Sequence, residues 1–266
     1  MDLFKQHLAP IAEEAWDEIN ETAEKVLKTT LSARKVLRVQ GPVGLKTPAL
    51  PTGTLELIDE NQGGVSAGLY NVNRILESRV TTSLNRWELD NVVRGKKDVD
   101  LDALEDDAEA LALYEENAIY NGNKKAGIKG LVDYAPHKLS MNDDANTILQ
   151  AIAEGLLKLE SAYTEKPYVL VVGDDVFKVI NQVYDGKLLV DAIETLIEGA
   201  VVHSKVLKGA LLLPFDHEDL ELTIGQDYTI GYEGHTDKEV TLFIMNSFTF
   251  RVYDENLIVY YKYYKK

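Results

Sequence analysis

The first strong pattern along the chain is a helical spacing of apolar residues between about residues 10 and 30. Apolar side chains recur there at intervals of three and four, with acidic residues between them. Pro10 stands where the first turn of a helix tolerates proline. We therefore predict an amphipathic helix from about residue 10 to residue 30. Its apolar face comprises Ile11, Ala15, Trp16, Ile19, Ala23, Val26 and Leu27.

Alternating patterns follow this helix. Residues 34–42 (RKVLRVQGP) alternate well enough to predict a short strand, with Arg34 and Val36 on one side of it. Residues 52–59 and 65–72 flank a turn-rich segment at 60–64, which predicts a β-hairpin. The chain beyond the hairpin predicts a long strand that passes through Trp87.

Two further helical patterns occupy the middle of the chain. The first runs from about residue 101 to residue 121, capped by Asp98 or Asp100 and ended by Gly122. The second begins near Asp143 and Asp144. The apolar face of the first comprises Leu101, Leu104, Ala108, Leu111, Ala118 and Ile119, and that of the second Ile148, Leu149, Ile152, Leu156 and Leu159.

From about residue 166 the pattern becomes that of an α/β unit. Residues 167–175 (PYVLVVGDD) predict a buried strand that enters a helix at 176–183. The turn at 184–187 leads to a second helix at 188–198, and two short strands follow. The last 45 residues are rich in strand patterns, and Tyr228, Ile230 and Tyr232 alternate so that all three project from one strand face.

The charge balance of the chain narrows its possible partners. Its 266 residues include 28 Lys and Arg and 44 Asp and Glu, which gives a formal net charge of −16. A nucleic-acid partner would require a basic face, so we expect none. The absence of cysteine excludes disulfides, thiolate metal sites and cysteine nucleophiles. No apolar run of 18 residues and no secretory leader pattern occurs, so we expect a cytoplasmic protein with no membrane partner.

The sequence offers no catalytic or metal-binding motif. None of the five histidines forms an H-E-x-x-H arrangement or an i, i+4 pair. His217-Glu218-Asp219 lies in a polar loop and is interpreted as a solvated turn. The segment at 171–175 (VVGDD) lacks the Lys-Ser/Thr pair of a phosphate-binding loop, and no G-x-S-x-G elbow is present. We therefore expect a protein that is not an enzyme and requires no metal or cofactor.

Four blocks, taken in their order and spacing, resemble a known family. They are an N-terminal block with Lys28-Thr29 and Gly41-Pro42, residues 86–91 (RWELDN) with Arg94-Gly95, residues 224–233 (IGQDYTIGYE), and residues 247–259 (SFTFRVYDENLIV). Together they resemble the shell-forming proteins of bacterial encapsulin nanocompartments (family 1, linocin-like), which are related to tailed-phage major capsid proteins.

The resemblance implies an α+β fold of the tailed-phage major-capsid (Hong Kong 97) type, with interleaved domains. Residues 1–49 would form the N-terminal helix and the start of the peripheral domain, and 50–73 the extended loop, a β arm. Residues 74–135 would be the peripheral domain with its spine helix, and 136–220 approximately the axial domain. Residues 221–266 would return to the peripheral domain.

The resemblance also implies three sites. A groove for a cargo protein's C-terminal peptide would be lined by apolar side chains, with Arg34 available for a carboxylate or carbonyl of the peptide. A pore loop at the tip of the axial domain departs from the His-Tyr type of tip expected of a close relative. A flavin, FMN or riboflavin, would stack on Trp87 beside Arg79. The groove residues are Leu27, Arg34, Val36, Ile230 and Tyr232, and the pore residues are Tyr184, Asp185, Gly186 and Lys187.

The implied function is structural: a homo-oligomeric icosahedral shell, expected to be a 60-mer, that encloses a ferritin-like iron-oxidising protein or a dye-decolorising peroxidase. Two alternatives stay open at this point. The first is a viral major capsid protein, because encapsulins and phage capsids share a fold. The second, from another class, is a monomeric hydrolase.

Overall fold

In the computed structural model, residues 2–265 are described, with the side chains of all of these except 59–62. Within them the chain forms seven α-helices and three short 3₁₀ turns, at Gln6–Leu8, Ala33–Lys35 and Glu255–Leu257. The helices are α1 (Glu13–Thr30), α2 (Arg86–Val93), α3 (Asp102–Tyr120), α4 (Leu131–Tyr134), α5 (Ala145–Ser161), α6 (Asp174–Ile180) and α7 (Leu189–Ile197).

The same part of the chain forms thirteen β-strands, which pair into two larger sheets and two isolated hairpins. The strands are β1 (Arg38–Gln40), β2 (Ala49–Gln62), β3 (Val65–Arg74), β4 (Leu76–Asn85), β5 (His137–Met141), β6 (Tyr168–Val172), β7 (Val183–Tyr184), β8 (Lys187–Leu188), β9 (Val201–His203), β10 (Ala210–Pro214), β11 (Leu220–His235), β12 (Glu239–Val252) and β13 (Val259–Tyr263).

The first sheet has the order β1-β11-β12-β4 and lies against α1 and α3. β11 and β12 are long antiparallel partners, and β4 pairs with β12 along its whole length, from Leu76 to Asn85. The helical spacing on α1 and α3 and the alternation on β12 bring Ile19, Leu104 and Leu242 into one cluster, where all three are fully buried. This cluster forms the core between the first sheet and the helices α1 and α3.

The second sheet has the order β5-β13-β10-β6-β9. β6 and β10 are buried on both faces, which explains why their sequences are unbroken apolar runs. Alternate residues of β6 serve different cores: Leu170 packs toward α5 and α7, whereas Val169 and Val171 pack toward the first sheet and the end of α3. Because successive side chains of β6 and β10 point to opposite faces, these two strands contribute to both hydrophobic clusters.

β2 and β3 form a hairpin whose strands pair only with each other along its length. Gly63 and Gly64 both have positive φ angles, +65° and +83°, which suit them to the tight turn. The hairpin exposes an unusual number of apolar side chains, and Tyr70 is 80% exposed. They are Leu55, Leu57, Ile58, Val65, Leu69, Tyr70 and Val72.

Most of the elements predicted from the sequence are present. The N-terminal helix, the hairpin, the helix at 101–121 and the helix after Asp144 are confirmed, and the Asp144 side chain caps α5 by accepting a hydrogen bond from the Thr147 amide at 2.9 Å. The helix predicted at 176–183 begins earlier, at Asp174, and ends at Ile180. The hairpin turn is shorter than the predicted 60–64, and the side chains of 60–62 lie outside the described residues.

Three predictions about the chain path were wrong. The strand predicted at 34–42 is only β1, because residues 33–35 form a 3₁₀ turn that keeps Arg34 and Val36 off the sheet. The strand through Trp87 ends at Asn85, whose side chain accepts a hydrogen bond from the Trp87 amide (2.9 Å) and starts α2. Pro10 precedes the first turn of α1.

Residues 221–266 divide between the two larger sheets. β11 and β12 belong to the first sheet, whereas β13 pairs with β10 and β5 in the second sheet. The domain boundaries given above, with 221–266 returning to a peripheral domain, stay predictions.

Gly155, inside α5, gives a test of this packing. Alanine normally stabilises a helix interior by about 1 kcal/mol relative to glycine, but a Cβ here would overlap the Tyr261 hydroxyl and lie 2.9 Å from Tyr261 Cζ. Tyr261 is fully buried and cannot swing away. We expect Gly155→Ala to lower the free energy of unfolding by about 1–3 kcal/mol, measured by urea denaturation.

Tyr261→Phe is the matched control. The Tyr261 hydroxyl is buried and has no hydrogen-bond partner among the described atoms, so its removal alone should leave stability unchanged or higher. In combination with Gly155→Ala it should recover part of the loss, because the hydroxyl overlap disappears while the close contact with ring atom Cζ remains. A double variant no more stable than Gly155→Ala alone would contradict this account of the contact.

Candidate functional site

A groove of about 580 Å³ opens between the second half of α1 and the middle of β11. Ala23, Leu27 and Leu31 follow one another at intervals of four residues and form its helical wall. Ile230 of β11 and Ile244 of β12 form its floor. The remaining lining residues are polar or charged: Gln6, Asn20, Glu24, Lys28, Arg34, Lys35, Asp227, Tyr228 and Thr229.

One end of the groove is built by Arg34. Its Nε and Nη2 atoms donate to the two carboxylate oxygens of Glu115, at 2.7 and 2.9 Å, and its Nη1 donates to Asp227 at 2.7 Å. The guanidinium carbon also lies 4.8 Å from the ring centre of Tyr228. Arg34 is thus committed to two acidic groups of its own chain. Arg34 therefore forms part of the groove wall. Its guanidinium is not free to pair with a ligand carboxylate, contrary to the expectation from the sequence.

Glu115 is fully buried on α3 and accepts hydrogen bonds from three elements. Besides Arg34, the Tyr228 hydroxyl donates to it at 3.0 Å and the Asn246 amide at 2.6 Å. Burial, and then the charge of Glu115, raise the pKa of Tyr228 well above its usual value, so this phenol stays protonated and remains a donor. A buried carboxylate is stable only with such a complete set of donors.

Its neighbour Glu116 holds the loop that follows α1. The Glu116 carboxylate accepts from the Ala33 amide at 2.8 Å and from the Ser32 hydroxyl, which also lies 2.9 Å from the Tyr120 hydroxyl. Burial raises the pKa of Glu116 to about 7, and the charge of Glu115 adds to the effect, against the hydrogen bonds from Ser32 and Ala33. The loop that carries Arg34 therefore rests on a carboxyl group that titrates near neutral pH.

The structure brings together three of the five groove residues expected from the sequence. Leu27, Arg34 and Ile230 line the groove. Val36 does not, because its side chain is fully buried in the core shared by the two sheets. Tyr232 lies further along β11, where its amide donates to the Phe4 carbonyl at 2.7 Å and its hydroxyl contacts His235.

Sequence reasoning missed several lining residues. Leu31 continues the i, i+4 spacing of Ala23 and Leu27, so the helical period could have identified it. Gln6 could not have been found this way: its side-chain amide donates to the Ile230 carbonyl at 2.6 Å, a contact across 224 residues of sequence.

The two residues expected to hold a flavin lie in different elements. The strand predicted to pass through Trp87 carries Arg79, but β4 ends between them and Trp87 lies in α2. Arg79 lies over the Phe243 ring at 4.2 Å, whereas Trp87 has Arg94 at 5.8 Å from its ring centre. Each side chain thus has a different neighbour within this chain, and the flavin site stays a prediction. Trp87 itself is 65% exposed and presents an open indole face.

The expected pore residues form a separate hairpin. Tyr184 and Lys187 belong to β7 and β8, and Asp185 and Gly186 make the two-residue turn with φ angles of +48° and +78°. The Tyr184 hydroxyl lies 2.9 Å from the Asn146 side-chain oxygen, which ties the hairpin to α5. The side chains of Asp185 and Lys187 are exposed at the tip.

The described residues contain no cluster of three or more His, Cys, Asp or Glu side chains that could hold a metal ion. At His217, the ring Nδ1 accepts from the Asp219 amide at 3.2 Å, a local turn contact. Over residues 2–265, no helix is long and apolar enough to cross a membrane.

Comparisons of sequence identify relatives over almost the whole chain. The model of the family described as "Encapsulating protein for peroxidase" matches residues 1–249. A type 1 encapsulin shell protein of Rhodococcus erythropolis is 33% identical over 261 residues, which cover 97% of this chain and 99% of that protein. Another, of Rhodospirillum rubrum, is 32% identical over 260 residues, 94% of this chain and 93% of that protein.

Comparisons of structure give the same fold. A virus-like particle from Pyrococcus furiosus matches with a TM-score of 0.67 at 14% identity, over 92% of this chain and 98% of that one. The Microbacterium phage Oxtober96 matches with a TM-score of 0.61 at 9% identity, over 89% and 91% of the two chains. The predicted α+β fold of the tailed-phage major-capsid type is confirmed.

The pKa of Glu116 generates a prediction about pH. Because its folded value of about 7 lies above the ordinary 4.5, the folded protein keeps a proton that the unfolded chain has lost. This contribution to stability is complete below about pH 4.5 and is lost as the pH rises through 7, a change of roughly 3 kcal/mol. We expect Glu116→Gln to remove this loss, measured by urea denaturation between pH 5 and 8.

Asp106→Asn, on the exposed side of the same helix, is the matched control and should keep the wild-type dependence on pH. Equal pH dependence in the wild type and in Glu116→Gln would show that Glu116 does not titrate in this range.

Proposed function

The chain belongs to the family of encapsulin shell proteins, whose members are structural proteins of capsid-like assemblies, and we propose that sixty copies of it close into an icosahedral compartment in the cytoplasm. The observation that supports assembly most directly is the hairpin of β2 and β3. A single copy exposes a row of apolar side chains on a two-stranded arm, which alone is at best marginally stable in water. Identical neighbours would cover this surface.

A viral major capsid protein is the alternative that the fold alone leaves open. Phage capsids match at 9–14% identity, whereas encapsulin shell proteins match at up to 33% over nearly the full chain. The sequence relationship therefore favours a compartment. No observation favours a monomeric hydrolase, and we propose that the chain has no catalytic activity of its own.

We propose that the groove between α1 and β11 receives the C-terminal peptide of a cargo enzyme, a ferritin-like iron-oxidising protein or a dye-decolorising peroxidase. The shape and the apolar lining of the groove support this proposal, because apolar side chains of a peptide can pass Leu27 and lie over Ile230. Burial of each such peptide side chain contributes about 1.5–3 kcal/mol to binding.

The charges around the groove balance, which makes apolar anchors the main determinant of binding. Three cations are matched by three carboxylates, and most are already paired with each other. Glu24 and Lys28 form an i, i+4 ion pair at 2.5 Å, and Arg34 binds Glu115 and Asp227. A peptide thus gains little from net charge in this groove. The six charged groups are Lys28, Arg34, Lys35, Glu24, Glu115 and Asp227.

We further propose that the hairpin tip of Tyr184, Asp185, Gly186 and Lys187 faces a pore where five copies meet. Its exposed Asp185 and Lys187 would place alternating charges around the opening. The exposure of Val183, at 75%, suits an interface around such an axis.

A flavin is proposed at Trp87 alone, supported by the exposed indole and not by Arg79. Stacking on an indole suits an aromatic ring system. Titration of purified shells with FMN should quench flavin fluorescence, and Trp87→Ala should abolish the quenching while Arg79→Gln retains it. Equal quenching by wild type and Trp87→Ala would remove the proposal.

Assembly is tested on the arm. Sixty copies of 29.7 kDa give about 1.8 MDa, so wild-type protein should elute in the megadalton range and show closed shells by electron microscopy. Leu55→Asp/Leu57→Asp should yield folded protein that elutes at low mass, because charge replaces the apolar face that neighbours cover. Thr54→Asp/Ser66→Asp adds the same charge without removing apolar surface and should still assemble. Shells formed by the Leu55→Asp/Leu57→Asp variant would contradict the role of the arm.

Cargo binding is tested on the groove wall. The C-terminal thirty residues of a dye-decolorising peroxidase, one of the two proposed cargo classes, are fused to a fluorescent protein and co-expressed with the shell, and a matching fusion is made with a ferritin-like protein. Leu27→Asp should reduce fluorescence per shell at least tenfold, because a charge replaces an apolar contact inside the groove. Thr29→Asp adds the same charge on α1 outside the lining and should load like the wild type. Unchanged loading by Leu27→Asp would overturn the assignment of the groove, with shell formation unaffected.

A further inference from the structure

A second cavity, of about 310 Å³, lies at the base of the arm and is lined largely by polar groups. It is bounded by the end of β3, by the loop between α3 and α4, and by β12. Four cationic side chains converge on it from two segments about 50 residues apart: Arg74, Lys124, Lys125 and Lys129.

The fold places these cations together through a tightly closed loop. The backbone of Asn123 pairs with that of Ile128 through two hydrogen bonds, at 2.8 and 3.0 Å. The chain must therefore turn back between them, and Lys124 and Lys125 lie at that turn. Gly122 and Gly130 close its base, where a Cβ on Gly122 would lie 2.8 Å from the Gly130 nitrogen. The backbone at Lys124 and Lys125 is thus held by a loop whose base tolerates no residue larger than glycine at positions 122 and 130.

The charge of this cavity is largely uncompensated. Lys129 pairs with Glu255 at 3.1 Å and lies over the Tyr134 ring. Arg74, Lys124 and Lys125 have no acidic partner within salt-bridge distance among the described residues. This is unusual in a chain with a net charge of −16, because acidic groups outnumber basic ones and could have neutralised the cluster. Three exposed cations around one cavity without acidic partners attract anions, and salt weakens this attraction by screening.

We propose that this cavity binds a small polyvalent oxyanion of the phosphate class. A single carboxylate would neutralise only one of the three unpaired cations, so a ligand with two or more negative charges is favoured. The guanidinium of Arg74 matches two oxygens of such a group in its fork, and lysines act as point charges on phosphate. The cavity has room for about ten waters, at about 30 Å³ each, which is enough for a diphosphate.

Bound anion would have a mechanical consequence. Arg74 is the last residue of the arm, whereas Lys124 and Lys125 belong to the body of the molecule. An anion held by all three would fasten the arm to the body. It would add to the polar links already present at this base, such as the Ile75 amide to the Pro48 carbonyl at 2.9 Å and the Arg251 guanidinium to the Pro51 carbonyl at 3.4 Å. The site would therefore fix the direction in which the arm leaves the protomer.

The test uses assembled shells purified without phosphate or sulfate. Pyrophosphate and inorganic phosphate are titrated by calorimetry at constant ionic strength, with sodium chloride as the reference salt. We expect saturable binding of one anion per protomer, tighter for pyrophosphate. Lys124→Gln/Lys125→Gln should weaken it at least tenfold. Arg74→Lys, which keeps the charge but loses the fork, should weaken it less.

Lys97→Gln/Lys238→Gln is the matched control, because it removes two exposed lysines elsewhere and changes the net charge equally. It should bind like the wild type. An equal loss in this control would show a general effect of charge and overturn the site. The proposal also fails if wild-type shells show no saturable binding, or if binding appears only after the shells are dissociated, since the cavity would then be filled by a neighbouring copy.

Discussion

The fully buried carboxylate of Glu115 is the interaction on which the packing of α3 against the first sheet and the loop after α1 depends. It accepts hydrogen bonds from the loop after α1, from β11 and from β12, through Arg34, Tyr228 and Asn246. A buried carboxylate left without partners would cost several kcal/mol. The helix, the loop and the two strands must therefore all be in place together, and the groove between α1 and β11 forms only as a result of that closure.

The same network explains why the groove is neutral. Arg34 enters the site already bound to Glu115 and Asp227, so it contributes shape and not a free charge. Glu116, on the next position of α3, holds the loop that carries Arg34. The wall of the groove is thus coupled to two adjacent carboxyl groups inside the protein, one of which changes its charge near neutral pH.

The arm contrasts with this self-sufficient core. Both faces of β6 and β10, in the second sheet, are buried, but the hairpin of β2 and β3 exposes apolar residues on its surface. In such a chain the core buries its apolar side chains within one copy, whereas the apolar side chains of the arm are buried only in an assembly. The base of the arm connects the buried core to the exposed hairpin, and there Arg74, Lys124 and Lys125 line one cavity.

The sequence by itself determined the elements whose pattern is local and, through four blocks of residues, the family and its capsid fold. The period of α3, the cap of α5 by Asp144 and the apolar runs of β6 and β10 follow from residues near each other in the chain. Only the tertiary structure decided that Arg34 binds Glu115 and Asp227, that Val36 is core, that Trp87 lies in a helix, and that four cations line one cavity at the arm. Those outcomes depend on partners about 50, 81 or 193 residues away or on competition between strand and turn, and side-chain periodicity carries no information about either.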